Sequence, residues 1–316
     1  MNFWWQPEPP VWSAPLGALS ALYRAGAAVH RAVSRPAKVR VPVISVGNLT
    51  VGGAGKTPVT LELARRLVER GRRPAVLSRG YGRRSREPLE VTADAAVERA
   101  GDEPLLMARR GFRVYVGPRR AALAELAVGR GADVVLLDDG LQHHGIARDL
   151  DVIVVDASNP FGNGRLLPAG PLREPVAALG RVRLGLVWLT HCDRPRDPRT
   201  AALREFPAVE SDYRAGGELA GKRIFLFAGI ARPEGFAETV RGLGAEIAGT
   251  RWFRDHHLYT ARELADLKAQ AAGALLVTTE KDLVRIERPD GIAAVRVDVR
   301  VLSGEEALER ALGEVL

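Results

Sequence analysis

Asn48-Leu49-Thr50-Val51-Gly52-Gly53-Ala54-Gly55-Lys56-Thr57 is a glycine-rich stretch with a β-branched run, Val39–Val46, before it and a helical pattern, Pro58–Arg70, after it. Strand, glycine loop and helix in that order predict a phosphate-binding loop. Glycines let the backbone curl so that successive N–H groups point at phosphate oxygens. In such a loop Lys56 reaches the β- and γ-phosphates, Thr57 holds Mg²⁺, and the helix N-terminus adds positive potential. The chain is therefore expected to bind a nucleoside triphosphate through Thr50, Val51, Gly52, Gly53, Ala54, Gly55, Lys56 and Thr57. Two departures stand out. The usual pattern has Gly where this chain has Thr50, and the switch-type ATPases that share the Gly-Gly-x-Gly-Lys-Thr core carry a Lys where Val51 stands.

Outward from the loop, Val134-Val135-Leu136-Leu137-Asp138-Asp139 is an apolar strand ending in two carboxylates. A strand-end Asp can hold the Mg²⁺ shell opposite the loop Thr, so Asp138 and Asp139 are candidate metal ligands; an acid there can also be a simple turn cap. Gly101-Asp102-Glu103-Pro104 opens a short helix, which makes Asp102 either an N-cap or a general base for an acceptor hydroxyl. Phe253-Arg254-Asp255-His256-His257 follows a strand and offers a His that could orient, or share a proton with, a carboxylate base. Ser78-Arg79-Gly80-Tyr81-Gly82 lies just after another strand and is built for contact, Arg79 gripping phosphate and the glycines permitting close approach. Arg119-Arg120 and the Pro- and Gly-rich loop from Gly164 to Pro175 place more arginines near strand ends, and an ordered loop of that length is more often functional than filler.

Strands are expected at Val39–Val46, Pro74–Leu77, Arg113–Val116, Asp133–Leu137, Val152–Val155 and Leu184–Leu189, with helices at Pro58–Arg70, Glu103–Arg110 and Arg119–Arg130. This alternation predicts an α/β fold whose mostly parallel sheet carries helices on both faces and binds ligand at the carboxyl ends of its strands. After a Pro/Arg/Asp-rich stretch, 191–207, the alternation resumes with strands Arg223–Ala228, Ala245–Trp252, Ala274–Thr278 and Ala293–Val301 and helices Glu234–Arg241, Thr260–Ala272 and Gly304–Leu316. The expected division is an N-terminal membrane-facing helix (1–38), a nucleotide-binding domain (39–207) and a smaller α/β domain (208–316) closing a cleft that excludes water.

The 316 residues carry a formal net charge of +8, which favours an anionic partner. The single cysteine, Cys192, excludes an internal disulfide. No Asp or Glu occurs from Pro9 through Leu61, whereas Arg24, Arg31, Arg35, Lys38 and Arg40 do, beside Trp4, Trp5 and Trp12. Apolar residues at helical spacing (Leu16, Leu19, Leu22/Tyr23, Gly26/Ala27, Val33) make this an amphipathic helix, suited to a membrane surface or to the protein's own core. The uncharged run is too short to span, since a crossing needs roughly 20 apolar residues.

Together these motifs, with Asp138-Asp139-Gly140-Leu141-Gln142-His143 and Thr279-Glu280-Lys281-Asp282, resemble the tetraacyldisaccharide 4'-kinases, the lipid A 4'-kinases of Gram-negative bacteria. The resemblance runs in order from about Pro42 to Asp282; Thr50 belongs to the family's own loop, and Ala54 and Leu141 stand where many members have Thr and Phe. It implies a two-domain P-loop kinase that uses ATP and Mg²⁺ to phosphorylate the 4'-hydroxyl of a tetraacylated glucosamine disaccharide 1-phosphate. It also implies a peripheral site at the cytoplasmic face of the inner membrane; separately, the sequence gives no evident obligate protein partner, and no nucleic acid is expected. The resemblance carries the base role onto Asp102 with His256 as partner, phosphate and metal roles onto Lys56, Thr57, Asp138 and Asp139, and phosphate or substrate contacts onto Arg79, Tyr81, Arg119 and Arg173. The alternatives are a switch ATPase or GTPase, weakened by Val51 and by the imperfect guanine-reading motif at Thr279–Asp282, and a nucleic-acid module, which rests on charge alone.

Overall fold

A computed structural model describes residues 2–6, 8, 10–230 and 233–316, so Met1, Pro7 and Pro9 of the expected N-terminal segment lie outside the described residues. The strands are, in chain order, β1 (Val43–Gly47), β2 (Pro74–Ser78), β3 (Leu89–Val91), β4 (Arg113–Val116), β5 (Val134–Asp138) and β6 (Leu150–Asp156). They continue with β7 (Gly185–Thr190), β8 (Ala208–Gly216), β9 (Arg223–Ala228), β10 (Glu246–Trp252), β11 (Leu275–Thr279) and β12 (Ile292–Ser303).

The chain forms two compact units: residues up to Arg79 with Phe112–Asp212 and Val299–Leu316, and Gly80–Gly111 with Tyr213–Asp298. This differs from the boundaries at 207/208 that the sequence suggested. Gly80–Gly111 joins the second unit because its helix Asp102–Arg109 buries Leu105 and Met107, and Arg110 pairs there with Glu280 and, at 2.6 Å, with Asp298. The C-terminal helix Glu305–Gly313 belongs to the first unit, where it packs along β7 with Leu308 and Leu312 buried. Periodicity identifies such helices without saying which sheet they cover.

In the first unit the strand order is β8-β7-β6-β1-β5-β2-β4, with parallel pairing from one neighbour to the next. Every residue of β5 is buried, so both faces of the sheet are covered. One apolar cluster joins Val43, Leu77, Tyr115, Val135 and Leu137 to Leu123, Ala124 and Ala127 of helix Arg120–Gly129; another gathers Ile153, Val155, Val187 and Leu189 around Phe161, Leu172 and Leu179. β1 begins later than its β-branched run because Pro42 has no N–H to give the ladder, and the Val43 N–H donates to Asp149 Oδ2 at 2.8 Å.

In the second unit the order is β10-β9-β11-β12, again parallel. Ile224, Leu226, Ala228 and Val277 pack against Phe236, Ala237 and Val240 of helix Pro233–Gly242. Phe225, Phe227 and Leu276 pack against Leu267 and Ala271 of helix Ala261–Ala271. Alternate residues of one strand thus serve opposite faces, as the pleat requires.

The N-terminal helix runs Leu16–Val33 and presents its small and polar side inward. Ser20 Oγ donates to Leu166 O at 2.9 Å and accepts from the Ala169 N–H at 3.3 Å, while Leu19, Leu22, Val29 and Val33 are 51–71% exposed. No helix among the described residues is long and apolar enough to cross a membrane.

Candidate active site

The phosphate loop occupies the carboxyl end of β1, which is flanked by β5 and β6. Register pairs Val46 with Asp138, so the loop and the two strand-end carboxylates start at one level. That closeness depends on two glycines. A Cβ on Gly47 would stand 2.5 Å from Leu141 Cβ, and one on Gly140 would stand 2.6 Å from Ser45 Oγ, so neither position tolerates a side chain without backbone movement. Gly55 (φ 84°) turns the chain into helix Lys56–Glu69, whose first turn holds no acidic residue and leaves its N–H groups to an anion.

Lys56 Nζ donates to Asn48 Oδ1 at 3.1 Å and lies 3.6 Å from Asp139 Oδ1. Arg173 NH1 donates to both Asp139 oxygens (2.7 and 2.8 Å) and to Gln142 Oε1 at 3.2 Å, and Gln142 Nε2 returns to Asn48 O at 3.1 Å. Burial would raise the Asp139 carboxyl, but the charges of Lys56 and Arg173 and their hydrogen bonds outweigh it and hold the group below the usual carboxylate range. Asp139 itself has left-handed backbone (φ 55°), an uncommon conformation for a non-glycine residue. Asp138 is 3% exposed and accepts from Ser78 Oγ at 3.1 Å.

The Gly164–Arg173 loop is tied to the phosphate loop through the backbone: Val51 N–H donates to Pro171 O (2.8 Å) and Arg173 N–H to Leu49 O (2.7 Å). Trp4 secures that loop in turn, its indole N–H donating to Pro168 O at 3.0 Å and its carbonyl accepting from the Asn163 N–H at 2.7 Å. A tryptophan that composition alone offered to a membrane thus braces the loop that carries Arg173.

Arg119, an expected phosphate contact, is exposed at the entry to helix Arg120–Gly129, and Arg79 is exposed just after β2. The neighbouring Arg120, named with Arg119 in the sequence but given no separate role there, is the buried one of the two, 4% exposed and within the field of Asp138 and Asp139. Burial, with the Arg79 charge, lowers the Arg120 guanidinium to about 10 against the pull of Asp138 and Asp139. His143 is pushed down to about 4 by burial and by the cations Arg120, Arg79 and Arg148.

In the second unit, Gly101 (φ 86°) is the residue that caps helix Asp102–Arg109, and Asp102 is its first helical residue, one place beyond the cap position anticipated. Asp102 Oδ1 accepts the Glu103 N–H at 2.9 Å. Its Oδ2 lies 2.8 Å from His256 Nδ1 and accepts from Arg285 NH2 (2.8 Å) and Nε (3.1 Å), with Lys281 Nζ at 4.0 Å. Burial opposes ionisation of Asp102, yet the hydrogen bond to His256 and the charges of Lys281, Arg285 and His256 prevail and hold its carboxyl far below the ordinary range. His256 also has left-handed backbone (φ 59°), pinned by its N–H donating to Gly229 O at 3.1 Å, and its ring lies 5.3 Å from that of Tyr81. Asp102 and His256, expected to meet across a domain cleft, are partners within one unit, because Gly80–Gly111 folds with 213–298. His257, the other histidine of the pair, is engaged elsewhere, with Nε2 3.0 Å from Glu263 Oε1.

A family model described as Tetraacyldisaccharide-1-P 4'-kinase matches residues 12–316 of the chain. A protein of Anaeromyxobacter dehalogenans (strain 2CP-C), called tetraacyldisaccharide 4'-kinase, is 46% identical over 98% of this chain and 93% of its own length. One of the same name from Methylobacterium sp. (strain 4-46) is 42% identical over 98% and 95%. The crystal structure of LpxK from Aquifex aeolicus in complex with ATP is similar to this one, with TM-score 0.79 and 27% identity, covering 96% of this chain and 99% of that one.

Proposed function

The chain belongs to the tetraacyldisaccharide-1-P 4'-kinase family, and on that premise we infer that it is an ATP-dependent kinase of lipid A biosynthesis, phosphorylating the 4'-hydroxyl of a tetraacylated glucosamine disaccharide 1-phosphate. The observation that carries the chemistry is the phosphate loop with Lys56, Thr57 and a buried strand-end Asp138 at one level of the sheet.

Mg²⁺ takes oxygen ligands and often only one or two carboxylates, completing its shell with substrate phosphates. The hydroxyl of Thr57 and the carboxylate of Asp138 fit that donor set; Asp139, bonded to Arg173 and close to Lys56, is suited to setting those two cations and to joining the metal's surroundings. When bound, the metal would draw charge from the β- and γ-phosphates. The glycine backbone and the N-terminus of helix Lys56–Glu69 orient the phosphates, and Lys56 and Arg173 neutralise charge that develops on transfer, with Arg79 and Arg119 as further contacts. Asp102 takes the proton of the attacking hydroxyl, and His256 orients Asp102 or accepts the proton onward.

The substrate's acyl chains give the N-terminal helix a role. Its exposed Leu19, Leu22 and Val29 and the exposed Arg24 beside them suit peripheral attachment to an anionic bilayer, in the family's setting the cytoplasmic face of the inner membrane. Leu19→Asp/Leu22→Asp/Val29→Asp is expected to abolish co-sedimentation with anionic vesicles and raise KM for lipid while leaving KM for ATP unchanged; undiminished co-sedimentation of the folded variant would reject this surface.

The activity is tested by incubating the protein with γ-labelled ATP and a lipid disaccharide monophosphate, followed by thin-layer chromatography. Label on the lipid is expected. Label released only as inorganic phosphate would favour a switch ATPase.

A further inference from the structure

Arg285 lies three residues beyond Asp282, outside the motifs that drew attention in the sequence, and its side chain is 1% exposed. Nε and NH2 both reach Asp102 Oδ2, while NH1 donates to Asp282 Oδ1 at 3.0 Å and to Gly229 O at 2.9 Å. Asp282 is itself immobilised. It is fully buried; Oδ1 also accepts from the Gly229 N–H (2.9 Å) and Tyr259 OH (2.8 Å), and Oδ2 accepts from Thr279 Oγ1 (2.6 Å). Gly229 accepts from the His256 N–H as well, so one backbone carbonyl holds both the guanidinium and the histidine.

Burying a guanidinium and two carboxylates sacrifices hydration that an apolar cluster would not, and such clusters are often no more stable than apolar replacements. What this arrangement gives is direction. A carboxylate offers about four lone-pair positions. On Asp102, Oδ2 takes Arg285 and His256, Oδ1 takes the Glu103 N–H, and the remaining capacity of Oδ1 is left for one further donor. We propose that Arg285, anchored by Asp282 and Gly229, is a positioning residue that fixes the plane of the Asp102 carboxylate, and through it the His256 ring, so that Oδ1 meets the acceptor hydroxyl in one orientation. This rests on the reading of Asp102 as the base.

The hydrogen bond from His256, the Lys281 charge and the Arg285 charge together keep Asp102 ionised. The groups facing Asp102 are His256, Lys281, Arg285 and Glu103; Asp255 and Tyr81 lie beside His256, and Lys281 divides its charge with Glu103 at 3.2 Å. Because the folded carboxyl is depressed, removing a cation raises it, and the acid limb of the kcat profile moves to higher pH.

The test compares Arg285→Lys, Arg285→Gln and Asp102→Asn in single-turnover kinetics from acid to neutral pH, with thermal melts. Arg285→Gln is expected to lower kcat about 10²-fold, since small misplacement of a reacting group costs that much, and to shift the acid limb upward. Arg285→Lys keeps the charge but loses the planar fork; it should lower kcat about tenfold with the acid limb unmoved and KM for ATP unchanged. Arg285→Gln with an unmoved acid limb, or with a loss that only tracks folded protein, overturns the proposal. If Arg285→Gln does not fold, Arg285→Lys decides, and wild-type kcat there overturns it. Asp102→Asn separates the premise: full activity in that variant removes the base itself, whatever the Arg285 variants do.

Discussion

Lys56→Ala is expected to abolish phosphate transfer in a protein that remains folded. Lys56 is partly buried and directed to Asn48 Oδ1 and Asp139, poised where charge builds on the transferred group. Loss of one preorganised stabilising group in such a site costs about 10²–10³ in kcat, and a cation at the β- and γ-phosphates acts on both binding and transfer. The fold should survive, because Asp139 keeps Arg173 on both oxygens and the phosphate loop keeps its backbone ties to Pro171 and Arg173. Thr57→Ala removes the hydroxyl expected at Mg²⁺ and should be as damaging, with its deficit lessened by raising Mg²⁺. Circular dichroism and a melt establish folding, and transfer of label to lipid is then followed in a single turnover. Near-normal turnover in a folded Lys56→Ala protein would be incompatible with the phosphate-loop assignment.

The phosphate site was legible because its parts are local: a strand, a glycine turn and a helix start adjoin in the chain, and β5 announces itself by an apolar run closed by two acids. Its supporting residues were less so. Asn48, Gln142 and Arg120 act through tertiary contacts, and nothing in the spacing says that Arg120, rather than Arg119, turns inward. The strand Ala208–Gly216 was missed because Glu210, Asp212 and Arg214 interrupt its apolar residues, and it pairs with β7 only over Ala208–Glu210. The units differ from the expected division because Gly80–Gly111 folds with the distant stretch Tyr213–Asp298, a long-range association that local spacing does not encode. The N-terminal helix was identified, but its polarity was not: Ser20 is the inward residue, since its hydroxyl satisfies the loop at Leu166 and Ala169, and the leucines face out. Arg285 had one available signal, its i+3 spacing from Asp282, and that pairing is meaningful only once both are known to be buried.

Asp102→Asn and His256→Ala are expected each to lower kcat by about 10²–10⁴, the usual worth of a positioned proton acceptor, with small changes in KM for ATP. A sugar hydroxyl is scarcely ionised at neutral pH, so the proton must leave as the bond to phosphorus forms. Residues that act as one unit are non-additive, and the 2.8 Å contact between His256 Nδ1 and Asp102 Oδ2 makes these two such a unit; the double variant should be little worse than the poorer single one. The competing account treats Asp102 as structural, through its bond to the Glu103 N–H and its pairing with Arg285. Acid titration distinguishes the stability contribution from the chemistry. The folded carboxyl of Asp102 is depressed, so its stabilisation is fully present above the unfolded value of about 3.9 and is lost progressively as pH falls from there through the lower folded value. Wild-type protein should therefore lose its stability margin over Asp102→Asn below about pH 4, while the activity difference persists at neutral pH, where both are folded. Asparagine matches the carboxylate in shape and leaves Arg285 the Asp282 pairing, which limits the penalty of an uncompensated buried charge. If Asp102→Asn is destabilised yet turns over at the wild-type rate per folded molecule, Asp102 is a structural residue and not the base. If the two single effects simply multiply in the double variant, Asp102 and His256 act separately.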